Sequence, residues 1–179
     1  PLLDGVFVPI DLQIGKDYNV LIVTGPNTGG KTVALKTLGL FCLMTQCGMH
    51  VPARSGTELA IFDGVFADIG DEQDIRQSLS TFSAHLKNIS RITQELGSLS
   101  LVLLDELGSG TDPTEGAALA IAILEHLRCR NARVITTSHF GELKEYAYST
   151  AGVENAAVEF NPETLAPTYR ILQGIPGSS

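Results

Sequence analysis

Tryptophan is absent from this chain and aromatic residues make up only 6% of it, so the interior cannot be organised around large rings. Aliphatic side chains must carry the core instead, and 18 glycines supply tight turns between the segments that hold them. Positive charge is also scarce: 12 Lys and Arg stand against 20 Asp and Glu, a formal net charge of −8. Such a surface repels nucleic-acid phosphate and anionic membranes, so any contact with DNA or RNA is expected through parts outside this chain, and none with a membrane. Arg128, Arg130 and Arg133 are the one close basic group, and they suit a capped, solvated helix end. Cysteines number three, Cys42, Cys47 and Cys129, an odd count with neither zinc-knuckle nor redox spacing, and all three are expected to be reduced core residues. No apolar run has the length of a membrane span, and the start at Pro1 carries no basic region, apolar core or cleavage site. A cytoplasmic location is the resulting expectation. The missing initiator Met and the end at Ser179 suggest a piece of a longer protein.

What is present is a chain of 179 residues with 44% apolar composition, enough for one sizeable core, and a single domain over 1–179 is expected. Short aliphatic runs at 18–24, 101–105 and 133–137 read as strands buried on both faces. Helical patterns at about 31–47, 80–96 and 114–128 alternate with them, and Gly48 and Gly97 fit C-terminal caps. Strand alternating with helix predicts an α/β fold with a mostly parallel central sheet flanked by helices. Residues 153–160 and 168–172 flank the turn-rich Asn161-Pro162-Glu163-Thr164 and predict a peripheral antiparallel hairpin. The first fifteen residues read as extended.

Between the first strand and the first helix lies Gly25-Pro26-Asn27-Thr28-Gly29-Gly30-Lys31-Thr32, which satisfies G-x-x-x-x-G-K-[ST]. Convergence of several backbone N–H groups on phosphate oxygens needs a loop free of Cβ atoms at Gly25, Gly29 and Gly30, and the helix N-terminus adds its positive dipole end. Lys31 then supplies a mobile charge for the β and γ phosphates, and the Thr32 hydroxyl is placed to ligate Mg²⁺. No role is assigned to position 33.

A second element follows in the order such a site requires. Leu101-Val102-Leu103-Leu104-Asp105-Glu106 is an apolar strand ending in two carboxylates, which puts Asp105 at the carboxyl edge of the sheet as a Mg²⁺ ligand through water. Glu106 is placed to orient and polarise the water that attacks the γ phosphate. Thr136-Thr137-Ser138-His139 ends another strand, and His139 is the candidate γ-phosphate sensor. His50, His85 and His126 are read as ordinary structural or solvated histidines. Gln77-Ser78-Leu79-Ser80-Thr81-Phe82 precedes a helix, and the Ser80 hydroxyl would reach the ATP of a second copy, since the chain already has one phosphate cradle. Gly108-Ser109-Gly110-Thr111-Asp112 is small enough to let another backbone approach closely.

These residues together resemble one family, the MutS ATPases, a branch of the ABC-type P-loop superfamily in which two domains sandwich two nucleotides. The stretches GPNTGGKT, GMHVPA, SLSTF, LLDELGSGTDPTEGAALA and TTSHF are similar to that family's Walker A, following loop, trans-acting serine loop, Walker B with D-loop, and histidine switch. Thr28, Thr32 and the Asp112-Pro113-Thr114-Glu115-Gly116 run resemble the MutS-two subfamily more than the mismatch-repair branch, as does the final GIPGSS. The resemblance implies that Phe7 stacks on adenine, that Asn27 stands near the γ phosphate, and that Gly25, Pro26, Thr28, Gly29, Gly30, Lys31 and Thr32 complete the nucleotide site. It also lets Tyr169 face the base from the opposite side.

The activity so implied is Mg²⁺-dependent binding and hydrolysis of ATP to ADP, driving homodimerisation through the nucleotide sandwich. The subfamily joins this motor to clamp-forming arms and an Smr nuclease domain, and is associated with suppressing recombination and with ribosome rescue. A mismatch-repair MutS ATPase domain is one alternative. A transporter nucleotide-binding subunit is another, although SLSTF does not resemble the LSGGQ-like signature it needs. An inert nucleotide-binding module is a third, disfavoured by Glu106 and His139.

Overall fold

Strands covered on both faces have no solvent side to leave polar, which explains the unbroken apolar sequences of β1 (Val20–Thr24) and β3 (Ser100–Leu104), every residue of which is buried. The computed structural model describes residues 8–70, 78–161, 167–175 and 177. Four further strands complete the sheet: β2 (Gly64–Asp68), β4 (Arg133–Ser138), β5 (Val153–Phe160) and β6 (Pro167–Gln173). Their order is β2-β3-β4-β1-β5-β6, with every neighbouring pair parallel except β5 and β6. Helices α1 (Lys31–Gln46), α2 (Ser78–Glu95), α3 (Pro113–Cys129) and α4 (Gly141–Ser149) supply the crossovers. This is the mixed α/β, mostly parallel architecture expected, with its peripheral antiparallel pair, and it is consistent with a P-loop NTPase-like fold.

The two-residue side-chain period of the strands sorts the core into two layers. Leu21, Val23, Leu101, Leu103 and Ile135 face Leu35 and Cys42 of α1. Val20, Ile22, Val102, Leu104 and Val134 face the opposite way, onto Ile92 of α2, Leu124 of α3 and Leu143 of α4. The sheet thus lies between α1 and the other three helices. That layering aligns the carboxyl ends of β1, β3 and β4 along one edge, the edge at which ligands bind in open parallel sheets.

Helix α1 stops where Gly48 turns left-handed at φ 75°, with the Gly48 N–H donating to Thr45 O at 2.9 Å and the Met49 N–H to Met44 O at 2.9 Å. Gly97 behaves differently from its expected role. Helix α2 ends at Glu95, and Gly97 instead donates its N–H to Ser100 Oγ at 3.0 Å. Helix α3 begins on Pro113 after Asp112, whose carboxylate accepts the Thr114 and Glu115 N–H groups at 3.0 and 3.3 Å.

Two elements, β2 and α4, lie outside the sequence expectation, and one residue class needs correction. Cys42 is buried as expected, but Cys47 and Cys129 are exposed, Cys47 as the C-cap residue of α1 and Cys129 as the last residue of α3. Among the described residues no helix is long and apolar enough to cross a membrane.

On the outer face of α3, Glu125 accepts from Arg128 Nη2 at 2.6 Å and from the Tyr146 hydroxyl of α4 at 2.7 Å. These donors hold the Glu125 carboxyl down at about 2, the Arg128 bond being the largest cause, while burial ahead of the Glu125 bond pushes Tyr146 up to about 12. A carboxyl depressed on folding stabilises above its unfolded value, and that contribution is lost as pH falls through its folded value. Glu125→Gln is therefore expected to lower the melting temperature at neutral pH. Melting curves of variant and parent should converge as pH falls from about 4.5 towards 2; a gap independent of pH would contradict the clamp.

Candidate functional site

The loop after β1 owes its shape to three glycines. Gly25 takes φ 134° and Gly30 φ 83°, conformations that a residue with a Cβ rarely adopts. Crowding adds a second constraint: a Cβ on Gly25 or Gly29 would come within 2.3 or 2.5 Å of Val158 Cγ2 on β5. These glycines are thus demanded by the packing of the loop onto the sheet, whatever the loop holds. Residues Asn27–Gly29 form a single 3-10 turn, and α1 starts immediately after Gly30 with no side-chain cap among the described residues. A helix start without a side-chain cap, carrying the positive end of the helix dipole, favours an external anionic acceptor.

Lys31 opens that helix. Its side chain folds back so that Nζ donates to Gly25 O at 2.7 Å, closing a ring across the loop, and the residue is only 3% exposed. Burial lowers the ammonium pKa from its ordinary value, while the carboxylates of Glu106 and Asp105 act in the other direction. A desolvated cation at this place favours an arriving anion.

The sheet order then decides what faces the loop. Because β4 lies between β1 and β3, the end of β4 bridges the loop strand and the carboxylate strand. Thr32 Oγ1 donates to Asp105 Oδ2 at 2.6 Å, and Thr137 Oγ1 donates to Asp105 Oδ1 at 2.5 Å. The same Thr137 oxygen accepts the Glu106 N–H at 2.7 Å. Glu106 itself is held at φ 49°, a left-handed backbone that costs about 1 kcal/mol or more in a residue with a Cβ. Its carbonyl also accepts the Ser109 N–H at 3.0 Å, so the turn is tied on both sides of the strained residue.

Of the residues expected from the sequence, the structure brings Gly25, Lys31, Thr32, Asp105 and Glu106 into one constellation. The residue after Thr32 is Val33, to which no role was assigned, and it takes no part in the site. Its side chain has no hydroxyl to offer a metal or a phosphate and is 61% exposed, so Thr32 supplies the hydroxyl of that first helical turn alone. Pro26 and Thr28 are exposed on the loop, and Asn27 is in its 3-10 turn. His139 lies one residue past β4 at the same edge, exposed, with its ring 4.5 Å from that of the buried Phe140. Ser80 is inside the first turn of α2, because the helix begins at Ser78 and not after the serine segment. Phe7 lies outside the described residues. Tyr169 of β6, with φ 60° and 51% exposure, stands against the loop, its Cδ1 3.1 Å from where a Cβ on Gly30 would be.

The glycine turn after Glu106 makes its close approach within the chain. A Cβ on Gly108 would meet Gly116 O at 2.4 Å, and one on Gly116 would meet Gly108 O at 2.2 Å, so the turn rests directly on the start of α3. Gly108 and Gly116 are thus required by a contact within the chain.

Thr137 and the group Asp68, His85 and Asn88 were missed by sequence reasoning. Thr136, Thr137 and Ser138 look alike in sequence, and only the register of β4 against β3 selects the one that reaches Asp105. His85, read as an ordinary structural residue, places Nδ1 2.7 Å from Asp68 Oδ2. Nothing in its sequence neighbourhood signals that pairing.

Chemically, a hydroxyl and a carboxylate 2.6 Å apart form a pair of hard oxygen donors suited to Mg²⁺, which binds through one or two protein ligands plus phosphate and water. Among the described residues no three His, Cys, Asp or Glu side chains cluster as a self-sufficient metal cage. The donor set therefore fits a cation that arrives with a phosphate.

Comparison with known proteins identifies a family. The family model of MutS domain V matches residues 21–179. Proteins named endonuclease MutS2 are 63% identical over the whole chain in Symbiobacterium thermophilum and in Acetivibrio thermocellus, and 62% identical in Halothermothrix orenii. The chain spans 23% of the length of each of these relatives.

Thr137→Val keeps the shape of the buried side chain but removes both hydrogen bonds, leaving the Glu106 N–H unpaired. The expected loss of stability is about 1–3 kcal/mol in urea unfolding. A loss below about 0.5 kcal/mol would mean that the bridge does not hold the turn.

Proposed function

We propose, for a chain that belongs to the MutS domain V family, that it binds ATP with Mg²⁺ and that two copies facing each other hydrolyse it. The observation that carries this reading is the line Thr32–Asp105–Thr137–Glu106, which joins a glycine loop of phosphate-binding pattern to two carboxylates at one sheet edge. Gly25, Gly29, Gly30 and the α1 N-terminus would receive the phosphates, with Lys31 swinging from Gly25 O to the β and γ oxygens. Thr32 and Asp105 would hold Mg²⁺, which when bound neutralises charge building up between the β and γ phosphates. Glu106 would orient the attacking water and take up its proton, and His139 would contact the γ phosphate from the end of β4. Phe7 and Tyr169 are assigned to the base, and Ser80 to the nucleotide of the second copy.

In this reading ATP closes a homodimer and hydrolysis reopens it, so that the domain is the motor of a larger protein. The relatives are named endonucleases, and we assign nucleic-acid work, on DNA or on stalled ribosomes, to parts of the parent protein outside this domain. The net charge of −8 favours that division, because the domain alone repels phosphate polymers.

Glu106→Gln tests the assignment. The variant should bind ATP with unchanged affinity, turn it over about 100-fold or more slowly, and accumulate as pairs in ATP by size-exclusion chromatography. Normal turnover in that variant would sink the role of Glu106. Lys31→Ala should instead weaken nucleotide binding itself, measured by titration of a fluorescent ATP analogue.

A further inference from the structure

Asp68 is the one buried residue of β2, an edge strand whose other members are half-buried or exposed. It is 8% exposed, and burying a charge there is unfavourable unless its oxygens are satisfied. Both are satisfied from a single helix. His85 Nδ1 lies 2.7 Å from Oδ2, and Asn88 Nδ2 donates to Oδ1 at 2.8 Å and also to Ala67 O at 3.2 Å. These two side chains stand three residues apart on one face of α2. The apolar anchoring of that helix is separate, made by Ile89 and Ile92 against the sheet.

The backbone of the same residue continues the connection. Asp68 O accepts the Asp105 N–H at 2.9 Å, immediately before the carboxylates that end β3. Two hydrogen bonds in series therefore link α2 to the backbone of Asp105. A second contact runs in parallel: Phe82, one turn earlier on α2, packs beside Gly110 in the turn after Glu106. Asp68, Phe82 and His85 line one small cleft together with Asp105, Glu106 and Ser109.

We propose that Asp68, His85 and Asn88 form a positioning bracket through which α2 sets the orientation of Asp105 and Glu106. The inference rests on the reading above, in which the first turn of α2 carries Ser80 to a second copy. A load on that turn reaches the end of β3 through the bracket, where Thr32 and Thr137 already hold the Asp105 carboxylate. The three residues touch neither nucleotide nor metal; they act through Asp105.

The experiment compares His85→Ala, His85→Gln and Asn88→Ala with the parent protein, measuring turnover at saturating Mg²⁺-ATP, affinity for a fluorescent ATP analogue, and amide exchange at Asp105 without nucleotide. His85→Ala is expected to lower kcat about tenfold or more. Its affinity should stay within about twofold, and exchange of the Asp105 N–H should accelerate. His85→Gln, which can still donate to Asp68, should recover most of the turnover, and Asn88→Ala should show a smaller drop with unchanged affinity. Should His85→Ala fail to fold, Asn88→Ala on the half-buried helix face decides. Unchanged kcat in the alanine variants of an active parent overturns the bracket, and so does parallel loss of affinity and turnover that Gln does not restore. A parent without ATPase activity would refute the proposed function instead, and unaltered Asp105 exchange would still refute the bracket.

Discussion

The buried hydroxyl of Thr137 is the constraint on which the site depends. It donates to one oxygen of Asp105 and accepts the N–H of Glu106, while Thr32 holds the other Asp105 oxygen. This arrangement exists because β4 is inserted between the loop strand and the carboxylate strand. Were β1 and β3 direct neighbours, the end of β4 could not stand between the glycine loop and the two carboxylates. The left-handed backbone of Glu106 persists because bonds on both sides over-determine it, to Thr137 before the turn and to Ser109 after it.

Much of the site was legible in the sequence, for physical reasons that differ from residue to residue. The glycine loop and the Asp105-Glu106 pair are contiguous, and each follows a strand buried on both faces, so spacing alone placed them at the sheet edge. Thr137 is not legible in that way: its role comes from pairing with strands distant in the chain, and its neighbours Thr136 and Ser138 carry the same chemistry. Strand β2 escaped because an edge strand with half-exposed residues lacks a buried apolar run. Helix α4 escaped because it starts on a glycine after Phe140, with no side-chain cap among the described residues. The glycines were recognised for a sound reason and also serve another: Gly25 and Gly29 yield to Val158, and Gly108 yields to Gly116.

The proposed function makes this chain a motor whose output lies in other parts of the parent protein. The domain is acidic, belongs to the MutS domain V family, and spans 23% of the length of its MutS2 relative in Symbiobacterium thermophilum. Loop, lysine, hydroxyl and carboxylates reside in one chain, whereas the first turn of α2, where Ser80 lies, belongs to a helix tied to Asp68 at the far edge of the sheet. The hydrogen bonds through Asp68 connect that helix to the backbone of Asp105.

The most direct measurement is the rate of phosphate release per chain, followed over protein concentrations at which sedimentation records the passage from monomer to dimer in saturating Mg²⁺-ATP. The paired-site account predicts that the rate per chain rises with the dimer fraction, while nucleotide binding to the monomer is already complete. A rate per chain that stays constant across that transition would contradict it.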